Sequence, residues 1–288
     1  MASPNHVENP FEFVMEKFGA AAGDVGRAFV PNPARHLDQA APVVRKITAQ
    51  DLWDSLKEGW RDVAALRDDI LFIGVIYPLV GLVLARFAFS MDLLPLLFPL
   101  ASGFALIGPV AAIGLYELSR RRERGDKVNW LDAFGVFSSP ALSSIVGLGA
   151  IMLGLFLVWL GVAYEIYLLN LGGDPPQTFA AFERSVLYTQ GGWTMIAMGV
   201  GVGFLFAVVA FALSVVSFPL LLDRDVGVAA AVRTSLKVVA TNPGVMMLWG
   251  ATVAGLLVLG SLPALVGLIF VVPVLGHATW HLYRKMID

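Results

Sequence analysis

Between residues 70 and 282 the chain consists largely of apolar runs long enough to cross a hydrocarbon layer. A run of that kind can satisfy its backbone in lipid only as a helix or as part of a closed barrel. The runs fall at residues 70–89, 94–118, 142–169 and 193–222. Each has about the 20 residues that a helix needs to traverse a core roughly 30 Å thick. A fifth stretch covers residues 244–282. As one helix it would be nearly 60 Å long, about twice that thickness. In its middle, Gly260-Ser261-Leu262-Pro263 offers a turn and a restart, with Ser261 as a cap. A hairpin is therefore expected, with spans five (244–260) and six (262–282). Asn242-Pro243 suits the start of span five, a cap followed by proline at the first helical position. The expected fold is all-α: a polytopic membrane helix bundle with six spans over residues 70–288.

Composition agrees. The chain is 57% hydrophobic and only 15% charged, against about 25% charged in ordinary soluble domains. Its 29 glycines suit helices packed closely in lipid. A net charge of −2 lacks the basic footprint of a nucleic-acid binder. With no cysteine, disulfides, thiolate metal sites and iron–sulfur clusters are excluded. The N-terminus has no basic segment followed by an apolar core, so no cleavable signal peptide is expected.

Residues 1–46 are polar and punctuated by prolines, and read as a largely flexible tail with one short helix at 11–18. Residues 47–69 read as an amphipathic interfacial helix, with Leu52, Trp53, Leu56, Trp60 and Val63 on one stripe and Asp54, Lys57, Glu58 and Arg61 opposite. Two further stretches before later hairpins, residues 128–137 and 225–242, have the same character. A threefold repeat of surface helix and hairpin is one reading; three independent interfacial helices is the other. Of the 20 basic residues, all but Arg86 and Arg184 fall on the side of the two termini. The positive-inside rule makes that side cytoplasmic, in a bacterial inner membrane. Arg120, Arg121, Arg122, Arg124 and Lys127 form a juxtamembrane cluster that sets this topology.

Four blocks, DLWDSLKEGWRD, GPVAAIGLYELSRRRERGDK, SFPLLLDRDVGVAAAVRTSLKVVATNPG and GLIFVVPVLGHATWHLYRK, occur in order across residues 47–287. They resemble the recurring blocks of a bacterial integral-membrane family of unknown function, some members of which carry a cytochrome c oxidase subunit label. The resemblance implies a multi-span inner-membrane protein and carries over no catalytic residue. Four histidines, with His6 and His36 in the tail, are too few for the haem and copper ligands of a catalytic oxidase subunit.

His277 and His281 lie four apart, on one face of a helix. Trp280, Tyr283, Arg284 and Lys285 accompany them, so an interfacial anchor among lipid headgroups is expected, as it is for Trp53, Trp60 and Trp130. The competing reading is a metal or haem site with Glu117 as third ligand; two histidines alone leave such a site incomplete. A polar contact between His281 and Glu117 is a third reading. Arg86 and Glu165 are the other charges inside the spans, either paired or each snorkelling to the outer interface. Gly199 and Gly203 form a GxxxG step that serves packing within the chain or a homo-oligomer. There is no zinc-protease motif, phosphate loop or defensible Ser–His–Asp arrangement. The expectation is a protein that is not an enzyme and has no cofactor: an accessory, scaffolding or assembly component of a membrane complex. The alternative is a transporter for a small or lipid-like solute.

Overall fold

The computed structural model describes residues 42–65, 94–172, 178–224 and 226–288, with the isolated residues Glu16, Gly19, Ala20, Gly23, Leu82, Val83 and Arg86. The expected span at 70–89 and the helix at 11–18 lie almost wholly outside these residues. The helices are α1 (Ala49–Ala65), α2 (Leu97–Ala111), α3 (Ile113–Glu123), α4 (Leu142–Leu171) and α5 (Phe179–Leu187). They are followed by α6 (Gln190–Ser214), α7 (Ser217–Asp223), α8 (Val228–Thr241), α9 (Pro243–Ser261) and α10 (Leu268–Met286). Short 3-10 segments cover Leu94–Leu96 and Trp130–Ser138.

The protein is a polytopic helical bundle. Among the described residues, four helical stretches are long and apolar enough to cross a membrane: Leu97–Glu123, Leu142–Leu171, Gln190–Asp223 and Pro243–Ser261. The sixth expected span is corrected. α10 starts only at Leu268, and its second half carries His277, Thr279, His281, Arg284 and Lys285. Only its first half is apolar, so α10 is not among the four.

Burial is divided between two ends. Leu115, Leu118, Phe218, Leu220, Leu221, Trp280, Leu282 and Met286 form a dense protein core at one end, here called the cap. Away from it, large apolar side chains point outward: Leu153, Leu157 and Val158 on α4, Val200, Phe204 and Leu205 on α6, Val258 and Leu259 on α9. Water does not tolerate such a contiguous apolar belt on a monomer, and lipid does. Within the belt, Trp159 of α4 is buried, donates to the Pro99 carbonyl at 3.1 Å and packs on Phe206. A methyl on Gly203 would meet its ring at 3.0 Å, while Gly199 has open space. The first half of that step is thus free and the second is used within the chain.

The expected span four breaks near the cap. α6 gives way to α7 at Val215-Val216, one turn before Pro219, whose missing N–H ends the regular ladder. Ser235 of α8 closes the gap: its hydroxyl accepts from Val216 N at 3.3 Å and donates to the Ala212 carbonyl at 2.7 Å.

α1 does not present the expected stripe. Its buried face is Leu52, Ser55, Gly59, Asp62 and Val63, while Trp53 and Trp60 point away from the protein. The cause is α10, which packs antiparallel along α1. A methyl on Gly59 would lie 2.7 Å from both Ala278 N and the Val274 oxygen. Ser55 and Gly59, four apart, allow this close approach, and larger apolar residues would prevent it. The tail boundary also shifts. Residues 43–47 run along the end of α10 through a Val44–Ile287 bridge. Asn242 stands at the N-cap before Pro243 as expected, but its side chain clasps rather than caps: it accepts from Ile47 N at 2.9 Å and donates to the Arg45 carbonyl at 3.0 Å.

Candidate functional site

A buried polar cluster at the cap joins α1, α3 and α10. Asp62 is its hub. Its Oδ2 accepts from Ser119 Oγ at 2.6 Å and from His281 Nε2 at 2.8 Å, and Arg122 Nε stands 3.4 Å from Oδ1. Burial opposes the charge on Asp62, but the hydrogen bonds from His281 and Ser119 outweigh it and hold the carboxyl below its ordinary pKa.

His277 lies beside this hub with its side chain fully buried, and its Nδ1 is 2.7 Å from Ser119 Oγ. The Ser119 hydroxyl has one hydrogen, and it goes to Asp62. His277 must then donate through Nδ1–H to Ser119, which fixes the tautomer and leaves Nε2 as a bare acceptor. Nε2 has no hydrogen-bond partner among the described residues. Burial pushes the His277 pKa down to about 4 against the pull of Asp62, so the ring is neutral at neutral pH. Serine, histidine and aspartate meet here, but not as a nucleophilic triad. Ser119 sits between the other two and is 1% exposed, so its oxygen cannot reach a substrate.

A second node forms one turn from the first. Glu117, 1% exposed, accepts from Arg120 Nε at 2.8 Å and Arg121 Nε at 2.7 Å. Arg121 continues to Asp132 at 2.7 Å and Arg120 to the Leu222 carbonyl at 2.9 Å. Gly135 gives the Arg121 guanidinium its room, since a side chain there would collide with it. Asp132 also closes a capping box with Asn129 at the start of the 3-10 segment Trp130–Ser138. In a third node, Tyr283 donates to Asp223 at 2.8 Å, Trp280 donates to Glu123 at 3.1 Å, and Arg284 reaches both acids. A cleft of about 280 Å³ opens beside Glu117, Arg120, Arg121, Ser138, Ser139 and Asp223.

The sequence-predicted residues are therefore redistributed. His277 and His281 come together, but with Asp62; Glu117 pairs with arginines instead, so the trio does not converge and His281 does not meet Glu117. Trp280 and Tyr283, expected among headgroups, are fully buried because their polar edges have acids to bind inside the protein. Trp53 and Trp60 are exposed, and Trp130 is half-buried. Arg120, Arg121 and Arg122 hold ion pairs, while Arg124 and Lys127 face outward. Glu165 is exposed on α4, and no ion pair joins it to Arg86 among the described residues. Sequence reasoning missed Asp62, Ser119, Glu123 and Asp223. Their signal is weak, for each is an ordinary polar residue beside a charged run. It also missed α5, whose start is marked by Thr178 capping Ala181 N at 3.1 Å.

No curated protein and no solved structure matches the chain. A family model does match, over residues 97–223, which run from the start of α2 to the end of α7 and include Glu117, Ser119, Glu123 and Asp223. Asp62, His277 and His281 lie outside the matched segment. Over residues 97–223 the chain is similar to the family described as predicted integral membrane protein (DUF2189).

Proposed function

We propose that the protein is a non-catalytic accessory or scaffolding component of a membrane complex. It sits in a bacterial inner membrane with its cap in the cytoplasm. The observation that carries this reading is how the buried polar groups are used. Asp62, Glu117, Glu123 and Asp223 each bind donors of this same chain; the bonds of Asp62, Glu123 and Asp223 tie one helix of the cap to another, and Glu117 holds the α3 arginines that reach Asp132 and the Leu222 carbonyl. Groups committed in this way rigidify a scaffold rather than serve a reacting substrate. Arg124, Lys127, Arg233 and Lys237, exposed near the cap, support its cytoplasmic orientation. Trp53, Trp60, Leu131 and Phe134 project from the cap, and exposed apolar groups of this size suit a protein partner.

The test is affinity purification from native membranes in mild detergent, comparing the wild type with a W53A/W60A variant. The reading expects a partner at near-equal amounts, lost in the variant while the chain itself is recovered. Recovery of the wild-type chain alone contradicts it. The cleft beside Glu117, Arg120 and Arg121 favours a second reading, a transporter for a small solute. Uptake into proteoliposomes that hold only this protein would decide for that one.

A further inference from the structure

We propose that α9 and α10 form a re-entrant hairpin. It enters the bilayer from the cap side and turns back within the hydrocarbon, so that its tip at residues 262–267 contacts the acyl chains of one leaflet and never reaches the far surface. This inference is independent of the accessory role.

The register of α10 against α3 carries the argument. Gly276 rests on Leu115, where an added methyl would lie 2.5 Å from Cδ1. His277 meets Ser119 at 2.7 Å, and Trp280 meets Glu123 at 3.1 Å. The three contacts advance in step, so α10 and α3 run in the same direction. From His277 back to the start of α10 at Leu268 is a rise of about 13 Å, at 1.5 Å per residue. From Ser119 back to the start of α2 at Leu97 is about 33 Å. Ala112, between α2 and α3, keeps a helical backbone and its N–H still bonds the Gly108 carbonyl, so the two helices form one run. The returning arm therefore starts roughly 20 Å short of the far end of α2.

The outgoing arm agrees. α9 begins at the clasp of Asn242 on Arg45 and Ile47, close to the Val44–Ile287 bridge at the base of α10. Both arms have 19 residues. They close on each other at the top, where Gly260 packs against Gly267 and Leu268. Part of each arm is spent at the cap: Met246 and Trp249 in the first two turns of α9, and Leu275, Ala278, Trp280, Leu282, Tyr283 and Met286 on α10, belong to its core. What remains is too short for a core roughly 30 Å thick.

The tip has the chemistry of the hydrocarbon. Leu262-Pro263-Ala264-Leu265-Val266-Gly267 has no polar side chain, and Leu262 and Val266 are 74% and 54% exposed. The connection at the far end of α4 and α6 contrasts with it, carrying Asp174, Gln177, Thr178, Glu183 and Arg184. Irregular backbone is costly in lipid unless its hydrogen bonds are made, and most of the tip's N–H groups, other than those of Ala264 and Gly267, bond within the turn. Here Leu262 N bonds the Val258 carbonyl, Leu265 N bonds Ser261 and Val266 N bonds Pro263. Leu268, Ile269, Phe270 and Val271 likewise donate to carbonyls within the turn. Pro263 has no N–H to satisfy, and the Ser261 hydroxyl donates to the Leu257 carbonyl at 2.7 Å.

The chain has no cysteine, so a single introduced one reports without background. V266C and L262C would each carry a nitroxide label in reconstituted bilayers, with Y188C, exposed beyond α5, as the far-end reference. The proposal expects V266C and L262C to be accessible to oxygen and shielded from a water-soluble nickel chelate, and Y188C to show the reverse. In sealed vesicles V266C should resist a membrane-impermeant maleimide and react once detergent is added. Nickel accessibility at V266C and L262C like that at Y188C, or maleimide labelling of V266C without detergent, would overturn the proposal.

Discussion

Asp62 on α1 and His281 on α10 stand 219 residues apart in the chain and 2.8 Å apart in space. Around that contact the two ends of the described chain become one structure. α1 is held against α10 by a small-residue seam at Ser55 and Gly59, and Ser119 brings in α3, which lies within residues 97–223.

Removing the hub should loosen the cap. Asp62→Ala leaves Ser119, His281 and Arg122 without their common acceptor. A loss of about 2–4 kcal/mol is expected, the range for a buried, hydrogen-bonded charge deprived of its partner. Asp62→Asn, which keeps an acceptor oxygen, should lose less. Thermal unfolding in detergent micelles, followed by tryptophan fluorescence, checks both.

His277 makes stability depend on pH. Its folded pKa of about 4 lies below the ordinary 6.5, so the unfolded chain takes up this proton first as the pH falls. The contribution is fully present above pH 6.5 and is lost on acidification towards 4, at a slope of at most about 1.4 kcal/mol per pH unit. His277→Asn should flatten the melting temperature over that window. An unchanged slope in the variant would assign the effect to another group.

The two helical glycines Gly59 and Gly199 should respond in opposite ways. Gly59→Ala drives a methyl into the α10 backbone and should cost about 1–3 kcal/mol. Gly199→Ala meets open space and should be neutral or mildly stabilising, since alanine favours a helix by about 1 kcal/mol. Melting temperatures of the two variants, measured side by side, test the seam.

Arg121→Lys is not conservative at its site. Lysine lacks the planar fork that spans Glu117 and Asp132, and the change should release the 3-10 segment Trp130–Ser138. Faster hydrogen exchange across residues 130–138, with α4 unchanged, is the expected result.

What could be read from the sequence follows a physical division. Apolar run length located the helical stretches Leu97–Glu123, Leu142–Leu171, Gln190–Asp223 and Pro243–Ser261 to within about five residues, because lipid imposes an apolar composition on any helix it surrounds. The face of α1 was not legible. The apolar stripe put Leu52 and Val63 on the same lipid-facing side as Trp53 and Trp60, whereas Leu52 and Val63 turn inward with the small residues of the seam with α10. The spacing of His277 and His281 pointed to a shared face, but their acid lies in a segment read as a surface helix, and nothing local links residue 62 to residue 281. Trp280 and Tyr283 look like headgroup anchors until Glu123 and Asp223 are placed beside their polar edges. The sixth span differs for a related reason: hydropathy continues through Leu275, but the helix starts only at Leu268 and its second half packs into the cap beside α3.

The most direct test of the joint is a double-mutant cycle of Asp62→Ala and His281→Ala in thermal unfolding. If the two residues clamp α1 to α10, the cycle should return a coupling of about 1–3 kcal/mol. Strictly additive losses would mean that the contact carries no energy and that the cap is held by packing alone.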